Sequence, residues 1–271
     1  ERIIDRGDIV TEEKAKILNS LTKEKEIKQG QTFNERSKLL IGRSLIILCL
    51  MILFYVYLRL FRKQFYNSKR IVTLLLMMIV GFCVATSLII THTSASLVYV
   101  IPFALLPIII STFFDTRTAL YANYITIFIS SLVVPSPFEF VLLQATAGMV
   151  TISSLRDLSQ RSQLIRTAII IFFTYCLFFL GYGLTSDSSI FEVNWITFVF
   201  FLINGILLLF AYPFIYIIEQ IFGFISNVRL IELSDINTPL MRKLSETAPG
   251  TFQHCTQVSN LAVEIANKIG A

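Results

Sequence analysis

Two side chains in this 271-residue chain sit where they invite chemistry. The first is His254, in the stretch SETAPGTFQHCTQVSNLAVEIANKIGA from Ser245 to Ala271. A neutral imidazole is a good ligand for a transition metal, but a metal site needs three or four such ligands. Beside it, Val258, Leu261, Ala262, Ile265 and Ile269 recur at three- and four-residue steps, which predicts an amphipathic helix with one face inward. Stepping back from Ile265 through Leu261 and Val258 reaches His254, so its ring is expected on the core-facing side. A lone His on such a face is more often a hydrogen-bonded core residue than a ligand. Cys255 is rejected as a second ligand, because adjacent residues lie about 100° apart around a helix.

The second is Glu139, which follows Pro135-Ser136-Pro137-Phe138 at the head of an apolar run. Ionisable groups in such runs face a helix bundle or a watery cavity. Pro135 and Pro137 interrupt helical continuity there, so Glu139 is a candidate for a small-ligand pocket in the membrane region. His92, Asp115, Arg117, Asn123, Gln144, Asn204 and Glu219 also lie in or beside apolar runs. Asp115, Arg117 and Glu219 are expected at membrane interfaces, and Asn204 is expected to bond a neighbouring helix. No glycine-rich phosphate loop, nucleophile motif or internal repeat is evident.

The elements that must position these residues are dominated by the bilayer. The chain is 55% hydrophobic with 24 Phe and a mean hydropathy of +0.71, far from a soluble domain. Apolar runs of the roughly 20 residues that a bilayer core demands fall near 43–61, 71–91, 96–114, 118–135, 138–155, 167–184 and 194–218. Seven spans are therefore expected, with Pro102 and Pro107 kinking the third. Trp195, Tyr182 and Tyr212 lie near span ends, as interfacial anchors do. The net charge of +5 does not point to polymeric nucleic acid, because the cations cluster between spans. Arg59, Arg62, Lys63, Lys69 and Arg70 surround the first connection, Arg117 marks the third, and Arg156, Arg161 and Arg166 mark the fifth. The connections around Thr93, Pro135 to Pro137, and Thr185 to Asn194 contain no Lys or Arg. Cationic loops stay in the cytoplasm, so the N-terminal segment is expected outside and His254 inside.

The flanks read differently. ERIIDRGDIV suggests a strand with a turn at Gly7, followed by Thr11 as the N-cap of a helix through EEKAKILNSL, with Glu12 and Glu13 suiting its first turn. A start in mid-strand predicts a fragment lacking its upstream part. Cys49, Cys83 and Cys176 lie in apolar runs and Cys255 beside His254, which is no disulfide framework. After the last span, helical periodicity is interrupted at Asn237 to Pro239. One helix is expected to end near Asp235, and another to start with Pro239 in its first turn. Pro249 and Gly250 are expected to form a turn before the His254 helix, and Gly270 to follow its end.

The run LSDINTPLMRKLSETAPGTFQHCTQVSNLAVEIANKIGA, Leu233 to Ala271, resembles the juxtamembrane linker and first helix of the HD hydrolase domain in bacterial seven-transmembrane HD receptors. The segments SDINTPL and LSETAPGT, with the His that follows, carry most of the likeness. GDIVTEE resembles the end of the extracellular domain in the same family. The resemblance implies an all-α membrane protein, a seven-transmembrane helix bundle. Residues 1–40 would end an extracellular domain, 41–220 form the transmembrane domain, 221–248 a cytoplasmic helical connector, and 249–271 the start of the HD domain. It implies hydrolysis of cyclic di-AMP to the linear dinucleotide by a metal-activated water, at a divalent metal pair, manganese or iron, held by His and Asp. His254 matches the family's first metal-binding His; where the family often has a His pair, this chain has Gln253 before it. The other ligands are expected beyond Ala271, so residues 1–271 alone are expected to be inactive. The expected partners are the lipid bilayer, cyclic di-AMP, an extracellular ligand, and a second copy of the chain as homodimer. The alternative is a non-enzymatic seven-span sensor or a small-solute transporter, which would show broken helices in both halves.

Overall fold

The computed structural model describes residues 12–155, 161–185, 195–226, 230 and 237–269, and every element among them is helical. The strand expected at ERIIDRGDIV, the Gly7 turn, the Thr11 cap and Gly270 lie outside the described residues. The chain divides into two units, residues 1–67 and 68–271.

In the first unit, α1 runs from Glu12 to Phe61. The polar helix expected after Thr11 and the first span are thus a single helix, whose Ser37–Phe61 part is long and apolar enough to cross a membrane. It is followed by α2, Lys63–Asn67. The Tyr55 and Tyr66 hydroxyls are 3.1 Å apart and their rings meet edge to face, joining the two helices.

The second unit opens with α3, Lys69–His92, then a 3-10 segment, Ala95–Val100, and α4, Leu105–Phe113. Next come α5, Thr116–Ser131, α6, Pro137–Ser154, and α7, Arg161–Thr185. They are followed by α8, Ile196–Leu208, α9, Ala211–Phe222, α10, Pro239–Thr247, and α11, Pro249–Ile269. Helix α5 packs on α3, α4 and α6; α6 packs on α7, α7 on α8, and α8 on the 3-10 segment. Phe103, Phe140, Ile171, Phe201 and Ala211 are among the fully buried residues of this core. Thr167 of α7 meets Ser154 of α6, whereas several other buried hydroxyls are satisfied within their own helices, as Thr86 is by the Phe82 carbonyl and Thr126 by that of Ala122. Where water is excluded, this is the nearest acceptor.

Among the described residues, four segments are long and apolar enough to cross a membrane: Ser37–Phe61, Lys69–His92, Ala95–Phe113 and Gln163–Thr185. The α8–α9 pair makes a fifth, bent by 44°. Helix α5 has 16 residues and α6 has 18, short of the roughly 20 that a straight crossing takes.

Three departures from the expected helices have local causes. The third span is broken outright, because Pro102 offers no N–H to either the Tyr99 or the Val98 carbonyl. Helix α4 restarts with Pro107 in its first turn, where the donor is not needed. The last span breaks at Leu209 and Phe210 for the same reason: Pro213 lies in the first turn of α9 and cannot donate to Leu209. Helix α9 then stops at Gly223, whose φ of +69° is the left-handed conformation that closes helices. Its N–H donates to the Glu219 carbonyl at 2.9 Å, and the Glu219 carboxylate accepts the Ser226 N–H at 3.0 Å. Glu219, expected at an interface, is a buried C-terminal clasp. The apolar pattern after the last span is therefore interrupted at Gly223. Leu230 is helical again, its N–H donating to the Ser226 carbonyl at 3.1 Å, while residues 227–229 and 231–236, and with them the helix end expected near Asp235, lie outside the described residues. Pro239 does open α10, after Thr238 as its N-cap.

Candidate functional site

The residues around Glu139 form a cavity of about 240 Å³. Its position follows from backbone chemistry. Pro137 is the first residue of α6, where a missing N–H is harmless, and Glu139 lies in the first turn, where a carboxylate suits the helix dipole. The half-buried Glu139 reaches the wall formed by the 3-10 segment. There the Tyr99 hydroxyl donates to its Oε1 at 2.8 Å.

Tyr99 is held by its backbone as well as its ring. In a 3-10 turn its carbonyl would accept from residue 102, which is proline and has no N–H. Asn204 of α8 supplies the missing donor: its Nδ2 donates to the Tyr99 carbonyl at 2.9 Å and to the Ile101 carbonyl at 2.8 Å. Asn204 is fully buried, so these charge-free bonds form away from competing water. The expected helix-to-helix bond of Asn204 thus becomes a splint across the broken third segment.

Aromatic rings support the same wall. The Tyr99 ring lies 5.7 Å from that of Phe201, edge to face, and Phe201 stacks on Tyr175 at 5.1 Å with 10° between planes. Phe179, a wall of the cavity, meets Phe201 edge-on at 5.5 Å. The Tyr175 hydroxyl donates to Gln144 Oε1 at 2.6 Å, one and a half turns along α6 from Glu139. Ser96, Ser136 and Thr197 add hydroxyls to the lining, and Val134 and Pro135 add apolar surface.

The remaining polar residues take other roles. Asp115 is the N-cap of α5: its carboxylate accepts from the Thr118 N–H at 3.1 Å and the Thr118 hydroxyl at 2.6 Å. Arg117 is exposed on the same first turn, and His92 is exposed at the end of α3. Asn123 is fully buried with neither amide atom hydrogen-bonded. It lies so close to Gly148 that a Cβ there would overlap its Nδ2, which explains a glycine where α5 and α6 approach.

His254 does not join this site or any metal cluster. It is exposed on α11, and among the described residues no group of three or more His, Cys, Asp or Glu is placed to hold a metal. Its helix begins at Pro249, so Pro249 and Gly250 are the first turn of the helix and not a turn before it. The face expected to pack inward is also exposed: Val258, Leu261 and Ile265 are 51%, 59% and 60% accessible. Periodicity assigns the apolar face of a helix, but only a packing partner buries it. Phe179 and Thr197 carry no sequence signal of their own, and Tyr99 carries only its place three residues before Pro102.

A family model, 7TM receptor with intracellular HD hydrolase, matches residues 37–226. The cyclic-di-AMP phosphodiesterase PgpH of Listeria monocytogenes is 26% identical over 211 residues, 76% of this chain and 28% of that protein. The protein of the same name from Bacillus subtilis is 26% identical over 184 residues, 64% of this chain and 26% of that protein. An uncharacterised Synechocystis protein, slr0104, is 42% identical over 52 residues, 19% of this chain and 6% of its own length. The chain spans about a quarter of the length of the two phosphodiesterases it matches. No solved structure matches it. The family match covers the cavity, both broken segments and every apolar helix from Ser37 onward, and the chain belongs to the family of 7TM receptors with intracellular HD hydrolase.

Proposed function

We propose that this chain is the membrane receptor region of a protein whose cytoplasmic part is a metal-dependent HD phosphodiesterase hydrolysing cyclic di-AMP to the linear dinucleotide. The observation that carries the reading is the family match over 37–226, joined by similarity to two proteins named as cyclic-di-AMP phosphodiesterases. In this reading residues 1–40 end an extracellular domain and 41–220 make seven spans, the short α5 and α6 crossing as a buried pair. Residues 221–248 form the connector, and 249–271 begin the HD domain. His254 is its first metal ligand, with Gln253 at the preceding position. One exposed imidazole does not hold a metal, so the manganese or iron pair is assigned to the complete domain alone.

The Glu139 cavity is the ligand site of the receptor. Its lining comes from residues flanking all three connections that lack Lys and Arg: Ser96, Ser136, and Phe179 with Thr197. That convergence supports an extracellular mouth and a cytoplasmic His254. Cys255 is exposed, and a membrane-impermeant maleimide should label it in inverted vesicles but not in intact cells; labelling in intact cells would reverse the topology.

The two broken segments give the transporter reading a specific observation, since transporters bind solute where paired half-helices meet near the midplane. Here the breaks serve different places. The cavity adjoins the break at Pro102, whereas its α8 wall, Thr197, lies twelve residues from the break at Leu209, roughly 18 Å of helix. Among the described residues this cavity does not join the two breaks, which favours the receptor.

The test is hydrolysis of cyclic di-AMP by the full-length protein. His254→Ala should lower the rate at least about 100-fold, since even the partners of metal ligands are worth 10–100-fold, while residues 1–271 alone should show no activity. Unchanged turnover in His254→Ala would sink the assignment.

A further inference from the structure

We infer that the cavity takes a small organic ammonium ion, its charge set against Glu139 and its hydrocarbon body against Tyr99 and Phe179; this rests on reading the cavity as the receptor's ligand site. The sign of the charge comes first. Among the described residues Glu139 is the charged member of the lining and no Lys or Arg lines the cavity, and none occurs in the sequence of the three connections that flank it. An anion would enter against the carboxylate without a partner, in surroundings where unpaired charge is heavily penalised. A cation would find one.

The walls then favour an organic cation over a bare metal ion. Tyr99 donates its hydroxyl to Oε1 of Glu139, fixing the carboxylate while its ring lines the cavity. The Phe179 ring is fixed by its edge-on contact with Phe201. Aromatic walls held in place beside a carboxylate are how proteins bind alkylammonium groups, by cation–π attraction joined to a charge-assisted hydrogen bond. The hydroxyls of Ser96, Ser136 and Thr197 can accept the remaining N–H bonds. A hard inorganic cation such as calcium instead asks for roughly six to eight oxygen ligands, and here apolar Val98, Val134 and Pro135 take up part of the lining.

Size narrows the ligand further. At about 240 Å³, the cavity is below the roughly 300–1,000 Å³ of drug-sized sites. An amine of a few carbons fits, whereas a nucleotide does not. The site is therefore unsuited to the cyclic dinucleotide proposed for the cytoplasmic domain, and it would report on a second, chemically unrelated compound.

The experiment uses the 271-residue chain in lipid nanodiscs, titrated with n-butylammonium, n-butanol and butyrate by saturation-transfer NMR, with empty nanodiscs as blank. Butylammonium should bind saturably, butanol at least about tenfold more weakly, and butyrate not at all. Glu139→Gln, whose amide oxygen can still accept the Tyr99 hydrogen bond, should weaken butylammonium about tenfold; Ser136→Trp, which fills the cavity, should abolish binding. If butanol or butyrate binds as well as butylammonium and Ser136→Trp blocks it, the ligand site stands and the cationic inference falls. If no probe binds in a way that Ser136→Trp blocks, the ligand-site reading falls and takes the inference with it. Should Glu139→Gln fail to fold, the isosteric pair butylammonium and butanol on the wild-type chain still decides the question.

Discussion

The two segments on either side of Thr93, Lys69–His92 and Ala95–Phe113, are both long and apolar enough to cross a membrane, yet the protein uses them oppositely. Of the most apolar stretch in the first, 22% is buried; in the second, 67%. The first is one unbroken helix, and the second is a 3-10 turn, a proline break and a short helix. Burial and irregularity go together for a physical reason. A helix closes its own backbone hydrogen bonds and can face lipid, whereas a broken segment leaves carbonyls open, and lipid offers them nothing. The broken segment must therefore be surrounded by protein, and Asn204 is the side chain that reaches in to complete it. That need brings α8 against the 3-10 segment, and the Glu139 cavity lies along the same wall.

This contrast can be broken at graded depth, with stability read as unfolding of the 271-residue chain by SDS titration in mixed micelles. The largest effect is expected from Phe103→Ala in the buried segment. Phe103 is fully buried and packs on Phe82 and Phe140 at 5.4 and 5.3 Å, and its loss should cost about 3 kcal/mol through the void left behind. A loss no greater than that of a lipid-facing residue would mean the segment is not enclosed.

Asn204→Leu should come next, at about 2 kcal/mol, because it strands the Tyr99 carbonyl and leaves that of Ile101 with the Phe103 N–H alone. The cause can be isolated. In a Pro102→Ala background residue 102 regains an N–H that can reach Tyr99, so the added cost of Asn204→Leu should shrink. Equal costs in both backgrounds would show that Asn204 acts through packing and not through hydrogen bonds.

The smallest effect is expected from Leu88→Ala in α3. Leu88 is 53% exposed, and lipid chains are as apolar as the side chain they would replace. The change should stay within about 0.5 kcal/mol; a cost above 1 kcal/mol would assign that face of α3 to a protein partner, such as a second copy of the chain.

Legibility in the sequence follows the same division. Glu139 is readable as a site because a carboxylate beside two prolines in an apolar run is costly to place anywhere but against a cavity or a polar partner. Pro102 and Thr238-Pro239 are readable as breaks, since proline acts through its own missing donor. Pro213 and Gly223 carry the same kind of signal but are masked by strongly apolar periodicity, so the bend in the last span and the interruption at Gly223 come only from the structure. His254 shows the opposite failure. Its helix does have an apolar face, but the inward packing inferred from that face requires a partner that periodicity cannot supply.

The sequence by itself determined the apolar helices, the grouping of cationic connections, the proline breaks and the presence of one acid at the head of α6, because each is set by local hydropathy or by a residue's own backbone chemistry. Only the tertiary structure decided which apolar segment is enclosed, that Asn204 closes the gap Pro102 opens, and that Tyr99, Phe179 and Thr197 meet Glu139 around one cavity. Those residues are separated by up to about a hundred positions along the chain. Their meeting depends on satisfying buried carbonyls and packing rings together, which are properties of the assembled bundle and of no single stretch.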